Sequence, residues 1–439
     1  MSREVTAESG PREGTALALT ILALVLSIFA YVLVGLGKRG KVPVTLLLYG
    51  AIFAIGFLVA HLAMRRFAPR ADPALFPSAG VLTGLGFAMI FRLSGGLAAE
   101  QATWTVVGLV VFCVTIISIR DHRQLDRYTY TIGLIGLVLL LLPIVPGIGR
   151  TINGARLWVA IGPVSFQPSE LGKVLIVVFL ASYLNAKREL LSIATTGVGP
   201  LRIPPLKHLG PLIVAWATSL AVLFLEKDLG ASLLYFAIFV VMLWVATGRT
   251  AYLAIGFALF AAGAAMGYVV FSHVQLRVDI WLHALEPSKV HALGYGQVAQ
   301  AEFGMATGGL VGAGLGRGSP GLIPYASTDF IFAALGEELG LFGTAAILLL
   351  FVVLVGKGLK AAMRTPDGFG RLLATGLAAV LAIQAFVIIG GVTRVIPLTG
   401  VTLPFVSYGG SSLISNYVLL ALLVRVSSGP APGHSRTPA

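Results

Sequence analysis

Apolar residues run through this chain in long stretches separated by mostly short polar links. Twelve stretches reach spanning length, near 15–37, 43–64, 75–93, 102–119, 128–145, 168–186, 209–225, 229–247, 250–271, 330–356, 371–391 and 411–427. Each is close to the ~20 residues that a helix needs to cross the hydrocarbon core of a bilayer. Helix is the state that lipid permits, because an open strand would leave backbone N–H and C=O groups unpaired. The pattern predicts an all-α polytopic membrane protein with about twelve transmembrane helices. Three links are long: 146–167, 272–329 and 392–410. The link 272–329, between spans nine and ten, contains Trp281, Leu282, Tyr295, Val298 and Phe303, so part of it is expected to fold back onto the membrane surface. The tails, 1–14 and 428–439, are polar or Pro-rich and are expected to be flexible.

Composition agrees. Of 439 residues, 57% are hydrophobic and 11% charged, against about 25% charged in a soluble protein. The net charge of +13 would suggest nucleic acid in a soluble chain, but here its placement matters more. Arg65, Arg66, Arg70, Arg120, Arg123, Arg127, Lys187, Arg188, Arg202, Lys207, Arg249, Lys357, Lys360, Arg364, Arg371 and Arg425 all fall on one side if both termini are cytoplasmic. Lys38, Arg39 and Lys41 fall on the other. Orientation accounts for the charge, and no nucleic-acid partner is expected. The first apolar run is long enough to span and follows a mixed-charge start with Glu4, Glu8 and Glu13, so it reads as a retained helix rather than a cleaved signal. The single cysteine, Cys113, lies in an apolar run and reads as packed and inert.

The unusual residues gather in the outward-facing links. Pro168 suits a first helical turn, Glu170 sits near that helix's positive end, and Glu170 and Lys173 share a face. Taken alone, this piece reads as an interfacial cap with a local ion pair. Glu226, Lys227 and Asp228 crowd a short link and read either as a wet hairpin tip or as charges with a job near the bilayer boundary. Asp329 stands where the longest link enters span ten; a helix cap, from it or from Ser327 or Thr328, is the plain structural reading. Glu337 and Glu338 follow inside an apolar stretch, where carboxylates are a functional hypothesis. The Gly-rich run 308–318 follows no strand, which argues against a dinucleotide fold and for tight turns near the membrane. Arg394, Pro397, Pro404 and paired glycines break helix in the last long link, as a re-entrant segment beside a cleft would. His61, His122 and His273 are scattered, and no spacing suggests zinc.

Five strings in this order, G-A-R-L-W (154–158), Q-P-S-E-L-G-K (167–173), E-K-D-L-G-A-S (226–232), S-T-D-F-I-F-A-A-L-G-E-E-L-G (327–340) and I-P-L-T-G-V-T-L-P-F-V-S-Y-G-G-S-S (396–412), resemble the SEDS family of bacterial cell-wall polymerases, the RodA and FtsW proteins. The resemblance covers roughly residues 75–427. It divides the chain into a cytoplasmic tail (1–14), two extra N-terminal spans (15–70), a ten-span SEDS domain (71–427) and a second tail (428–439). The two extra spans and the string D-H-R-Q-L-D-R-Y (121–128) look most like actinobacterial RodA-type members. The 226–232 string departs from the commoner form before its aspartate but retains Asp228.

The resemblance implies a peptidoglycan glycosyltransferase that polymerises lipid II outside the cytoplasmic membrane and releases polyprenyl diphosphate. It implies work with a class B penicillin-binding protein and other elongation or division machinery, with elongation and shape favoured. Asp329 matches the family's essential aspartate, and Arg156, Glu170, Lys173 and Asp228 match sensitive positions; Arg394 and Ser411 join them as substrate-binding candidates. The leaving diphosphate needs charge stabilisation, which Arg156, Lys173 and Arg394 are suited to give. For Asp329 two roles stay open: general base, if desolvation raises its pKa, or ligand of a divalent cation such as Mg2+ or Mn2+, if the helix terminus lowers it. Rival readings are a lipid-linked precursor flippase or carrier, a scaffold without catalysis, and a division-specific FtsW-type polymerase.

Overall fold

The computed structural model describes residues 10–429, apart from 153–154, 163, 193–195, 199–200, 204–209, 227, 291 and 293. The tails beyond these bounds, and Asn153, Gly154, Lys207 and Lys227, lie outside the described residues. Helices form where the apolar stretches lie: α1 (Gly10–Arg39), α2 (Leu46–Phe67), α3 (Leu75–Leu93), α4 (Gly95–Ser118), α5 (Thr129–Leu141), α6 (Pro168–Ala186), α7 (Arg188–Ser192), α8 (Gly210–Glu226), α9 (Leu229–Thr247), α10 (Ala251–Val270), α11 (Ser272–His283), α12 (Tyr295–Gly308), α13 (Ile331–Arg364), α14 (Gly368–Val392) and α15 (Gly410–Ser428). Among the described residues, eleven helices are long and apolar enough to cross a membrane. The expected seventh span is α8, a helix of 17 residues. At 1.5 Å per residue this described part is about 26 Å long, and residues 204–209 before it lie outside the described residues.

Two links depart from the all-helical expectation. β1 (Gly149–Ile152), β2 (Ala155–Ile161) and β3 (Val164–Phe166) form a three-stranded antiparallel sheet with Arg150 opposite Trp158 and Val159 opposite Phe166. β4 (Thr196–Val198) and β5 (Leu201–Ile203) form a second, two-stranded one. Short runs of β-branched and aromatic residues favour strands, and outside the spans water can satisfy a sheet edge.

The cationic links meet one another on a single face. Lys357 Nζ lies 3.2 Å from Asp72 Oδ2, His122 Nε2 3.0 Å and Arg123 Nε 3.5 Å from Asp367 Oδ2, and Arg425 donates to the carbonyl of Phe67 at 2.5 Å. Lys38 belongs to the other end, where it donates to the carbonyl of Arg92 at 2.8 Å.

Glu337 and Glu338 have structural partners. Gly340 has φ +67° and breaks α13, so both carboxylates lie in a short buried segment before the kink. The lipid-facing stretch follows, with Leu341 and Phe342 exposed. Glu338 pairs with Arg92 at 2.9 Å and accepts from Gly316 N at 2.8 Å, while Glu337 accepts from Ser319 N at 2.5 Å. The glutamates thus hold the Gly-rich run against α13. A Cβ on Gly340 would stand 2.3 Å from Gly312 N. Gly340→Ala is therefore expected to destabilise by more than about 1 kcal/mol. A lowered midpoint of heat unfolding in detergent is the expected result, and an unchanged one would show that the Gly-rich run yields.

Candidate functional site

The site forms where the last long link folds back into the bundle. α14 ends at Val392 and α15 begins at Gly410, and the irregular backbone between them includes Arg394, Gly400 and Phe405 at positive φ. Leu403, Phe405 and Val406 are buried, and a Cβ on Gly86, inside α3, would stand 2.2 Å from the Val406 carbonyl oxygen. This is the re-entrant segment expected from its prolines and glycines. It is tied on several sides. Tyr408 N donates to the Ser327 carbonyl at 2.8 Å, and Ser407 Oγ to the Thr328 carbonyl at 2.7 Å. Gln384 Nε2 reaches the Thr402 carbonyl at 3.0 Å, and the Tyr408 hydroxyl bonds Glu100.

These ties bring Asp329 beside Arg277. Arg277 Nη1, from α11, donates to the Leu398 carbonyl at 2.6 Å. A Cβ on Gly400 (φ +79°) would stand 3.6 Å from Arg277 Nη2 and 3.9 Å from Asp329 Oδ2. A bare Cα is what lets guanidinium and carboxylate approach the same point. Asp228 completes the group. It is the N-cap of α9, with Oδ1 accepting from Ala231 N at 2.9 Å. The next turn abuts the same link, since a Cβ on Gly230 would meet the Thr399 carbonyl oxygen at 3.0 Å. Thr399 is 4% exposed, and its hydroxyl has no hydrogen-bond partner among the described residues.

Asp329 is not spent on capping. α13 has no side-chain cap, and Phe330 occupies its N-cap position. The competition left open by the sequence falls to desolvation: burial pushes the Asp329 carboxyl up to about 6, Asp228 adds to the rise, and Arg277 and a hydrogen bond from Thr328 oppose it. Burial also raises Asp228, against its bond from Ala231 and the Arg277 charge. Burial lowers Arg277, with both aspartates opposing. The result is a partly dehydrated cluster of two carboxylates and one guanidinium at one end of the bundle.

The other sequence candidates lie around this cluster, and the Glu170 charge reaches Asp228. Glu170 and Lys173 form a buried pair at 2.6 Å, and Lys173 Nζ also donates to Gln384 Oε1 at 3.0 Å. The pair is therefore interior rather than interfacial, and it reaches the re-entrant link through Gln384. Ser411 Oγ accepts from Gln167 N at 2.9 Å, joining the starts of α15 and α6. Arg394 is engaged: Nε donates to the Trp281 carbonyl at 3.0 Å, Nη1 lies 3.4 Å from Glu302, and Trp281 Nε1 donates to the Arg394 carbonyl at 2.9 Å. Its geometry is that of a clamp holding α11 and α12. Arg156, on β2, reaches the Val145 carbonyl at 3.3 Å and keeps its Nε without a partner among the described residues. Its hydrogen bond stays within the sheet and the turn before it. Glu226 is fully buried, with both carboxylate oxygens unpartnered among the described residues.

Arg277 and Thr399 are the members that sequence reasoning missed. Arg277 sits in a mixed amphipathic helix without a recognisable spacing, and only the fold shows that it faces Asp329. Among the described residues, no group of three His, Cys, Asp or Glu side chains could hold a metal ion.

Comparisons with known proteins place the chain in a family. Residues 75–430 match the family described as "Cell cycle protein" (FTSW_RODA_SPOVE). The chain is 45% identical over 436 residues to the peptidoglycan glycosyltransferase RodA of Mycobacterium tuberculosis, covering 97% of this chain and 92% of that one. Among solved structures, it resembles a chain of a peptidoglycan synthase complex described as coordinating polymerization and crosslinking. That match has a TM-score of 0.66 and 28% identity, over 81% of this chain and 97% of the other. It also resembles the rod shape determining protein RodA of Thermus thermophilus, with a TM-score of 0.56 and 25% identity, over 81% and 96%.

Proposed function

The chain belongs to the FtsW/RodA/SpoVE family of cell cycle proteins, and from that premise we infer that it is a peptidoglycan glycosyltransferase whose reaction is centred on Asp329. The observation that carries the site assignment is the convergence of Asp329, Arg277 and Asp228 at one end of a membrane bundle, beside a re-entrant link.

The donor is a sugar on polyprenyl diphosphate and the acceptor a second lipid-linked sugar; lipid II supplies both. Asp329, with its carboxyl raised to about 6, takes the proton of the acceptor hydroxyl. The acceptor oxygen bonds to the donor's anomeric carbon, and the bond from that carbon to the diphosphate breaks, its electron pair leaving on the phosphate oxygen. Arg277 stabilises the departing charge, since a guanidinium matches phosphate geometry. In the alternative role, Asp329 is the residue that would hold a divalent cation, Mg2+ or Mn2+. Such an ion would supply further charge neutralisation at the diphosphate.

The cationic face is assigned to the cytoplasm, with both termini, and the Asp329 face to the outside. The likeness to a synthase-complex chain supports a class B penicillin-binding protein as partner. The likeness to a rod shape determining protein supports elongation over division.

The test is polymerisation itself. Purified protein is mixed with lipid II, with and without the transpeptidase and Mg2+ or Mn2+, and glycan strands are resolved by gel. Polymer from the wild type is the expected result; lipid II crossing vesicles without polymer under any condition would favour a flippase. A second prediction concerns the neighbour. Arg277 holds the Asp329 carboxyl down, so Arg277→Met is expected to move the rise of activity with pH to higher pH as well as lowering the maximum. A lowered maximum with an unmoved profile would separate Arg277 from the base.

A further inference from the structure

At the end of α13 far from Asp329 lies a cleft of about 220 Å³ whose polar lining is Arg70, Asp72, Lys357, Lys360, Arg364 and Ser427. It is distinct from the Asp329 site, because α13 runs from Ile331 to Arg364 between the two. Lys357, Lys360 and Arg364 recur at helical spacing on one face of α13, and Arg70 approaches from the link between α2 and α3. Four cations therefore face a single carboxylate. That carboxylate is already engaged: Asp72 Oδ2 lies 3.2 Å from Lys357 Nζ, and Oδ1 accepts from Ala74 N at 3.0 Å. The Asp72 N–H donates to Ser427 Oγ at 3.1 Å, which fixes the cleft wall to α15. Arg70, Lys360 and Arg364 are exposed and have no ion pair or hydrogen bond among the described residues.

Membrane orientation explains why cations lie on this face. It does not require three of them to converge on a concavity with their charge uncompensated. The flank is apolar: Leu359 is 40% and Met363 78% exposed, interleaved in sequence with the cations. We propose that this cleft binds the phosphate headgroup of an anionic lipid, whose acyl chains run along Leu359 and Met363. Paired guanidinium and ammonium donors suit a phosphodiester, and basic pockets between membrane helices are fitted to such headgroups.

The test uses the purified chain in detergent, titrated with cardiolipin, phosphatidylglycerol or phosphatidylcholine and read by native mass spectrometry. Wild type is expected to retain the anionic lipids and not phosphatidylcholine. The triple variant R70A/K360A/R364A, which keeps the Lys357–Asp72 pair, is expected to bind them at least about tenfold more weakly. The control R120A/R127A/R188A removes three exposed cations of the same face outside the cleft and is expected to bind like wild type. Equal losses in both triples, or equal retention of phosphatidylcholine, would overturn the proposal. So would displacement of the lipid by millimolar inorganic phosphate, which would make the cleft a site for soluble phosphate. Heat-unfolding midpoints of both triples guard against a folding defect.

Discussion

Asp329→Asn is expected to lower glycan polymerisation by about 10²–10⁴-fold, the usual contribution of a positioned general base. The change keeps the side chain's size and removes its negative charge, and with it the capacity to take a proton or hold a cation. It should leave the fold intact, and the linkage has a definite sign. Folding raises the Asp329 carboxyl to about 6, so above that pH the ionised group opposes folding, and its removal does not lower the unfolding midpoint. Loss of activity at a retained midpoint, measured with lipid II of fixed concentration, is the expected pair of results. Near-normal polymer yield would remove both the base and the metal-ligand role. The same variant separates enzyme from scaffold, since a scaffold has no use for this carboxylate.

The largest expected effect on stability comes from Lys173. Its ammonium is buried with Glu170 at 2.6 Å and shares Gln384 at 3.0 Å, and the two side chains are only 2% and 7% exposed. Lys173→Ala strands the Glu170 carboxylate inside the bundle, which should cost about 3–5 kcal/mol. The double change Lys173→Met with Glu170→Gln removes both charges and is expected to recover most of that loss. Unfolding midpoints of the single and double variants decide the matter; a cost below about 1 kcal/mol for the single change would mean that water reaches the pair. Activity should fall in the single variant as well, because Gln384 also holds the Thr402 carbonyl of the re-entrant link at 3.0 Å.

Much of this architecture is legible in the chain, because the bilayer leaves few alternatives. Apolar length gives the spans, and the cationic links identify the face on which Lys357, Asp72, His122 and Asp367 meet. The broken backbone at 392–410 follows from Pro397, Pro404 and the glycines around them. The small sheet at 149–166 is not legible, because its strands are three to seven residues long and register there depends on tertiary packing. Nor is the difference between carboxylates. Glu337 and Glu338 look more anomalous in sequence than Asp329, yet they are satisfied by Arg92 and by backbone N–H groups. Asp329 looks like an ordinary cap and is not one. Burial and partners decide such roles, and these are set by residues far apart in sequence, as Arg277 and Gly400 show.

The pH dependence of polymerisation at saturating lipid II tests the central claim most directly. If a desolvated Asp329 is the base, turnover climbs through a midpoint near pH 6 as its carboxyl ionises and then levels off, and the residual rate of Asp329→Asn lacks that limb. A rate that is flat across this range in the wild type, or a limb that survives in Asp329→Asn, would contradict the account.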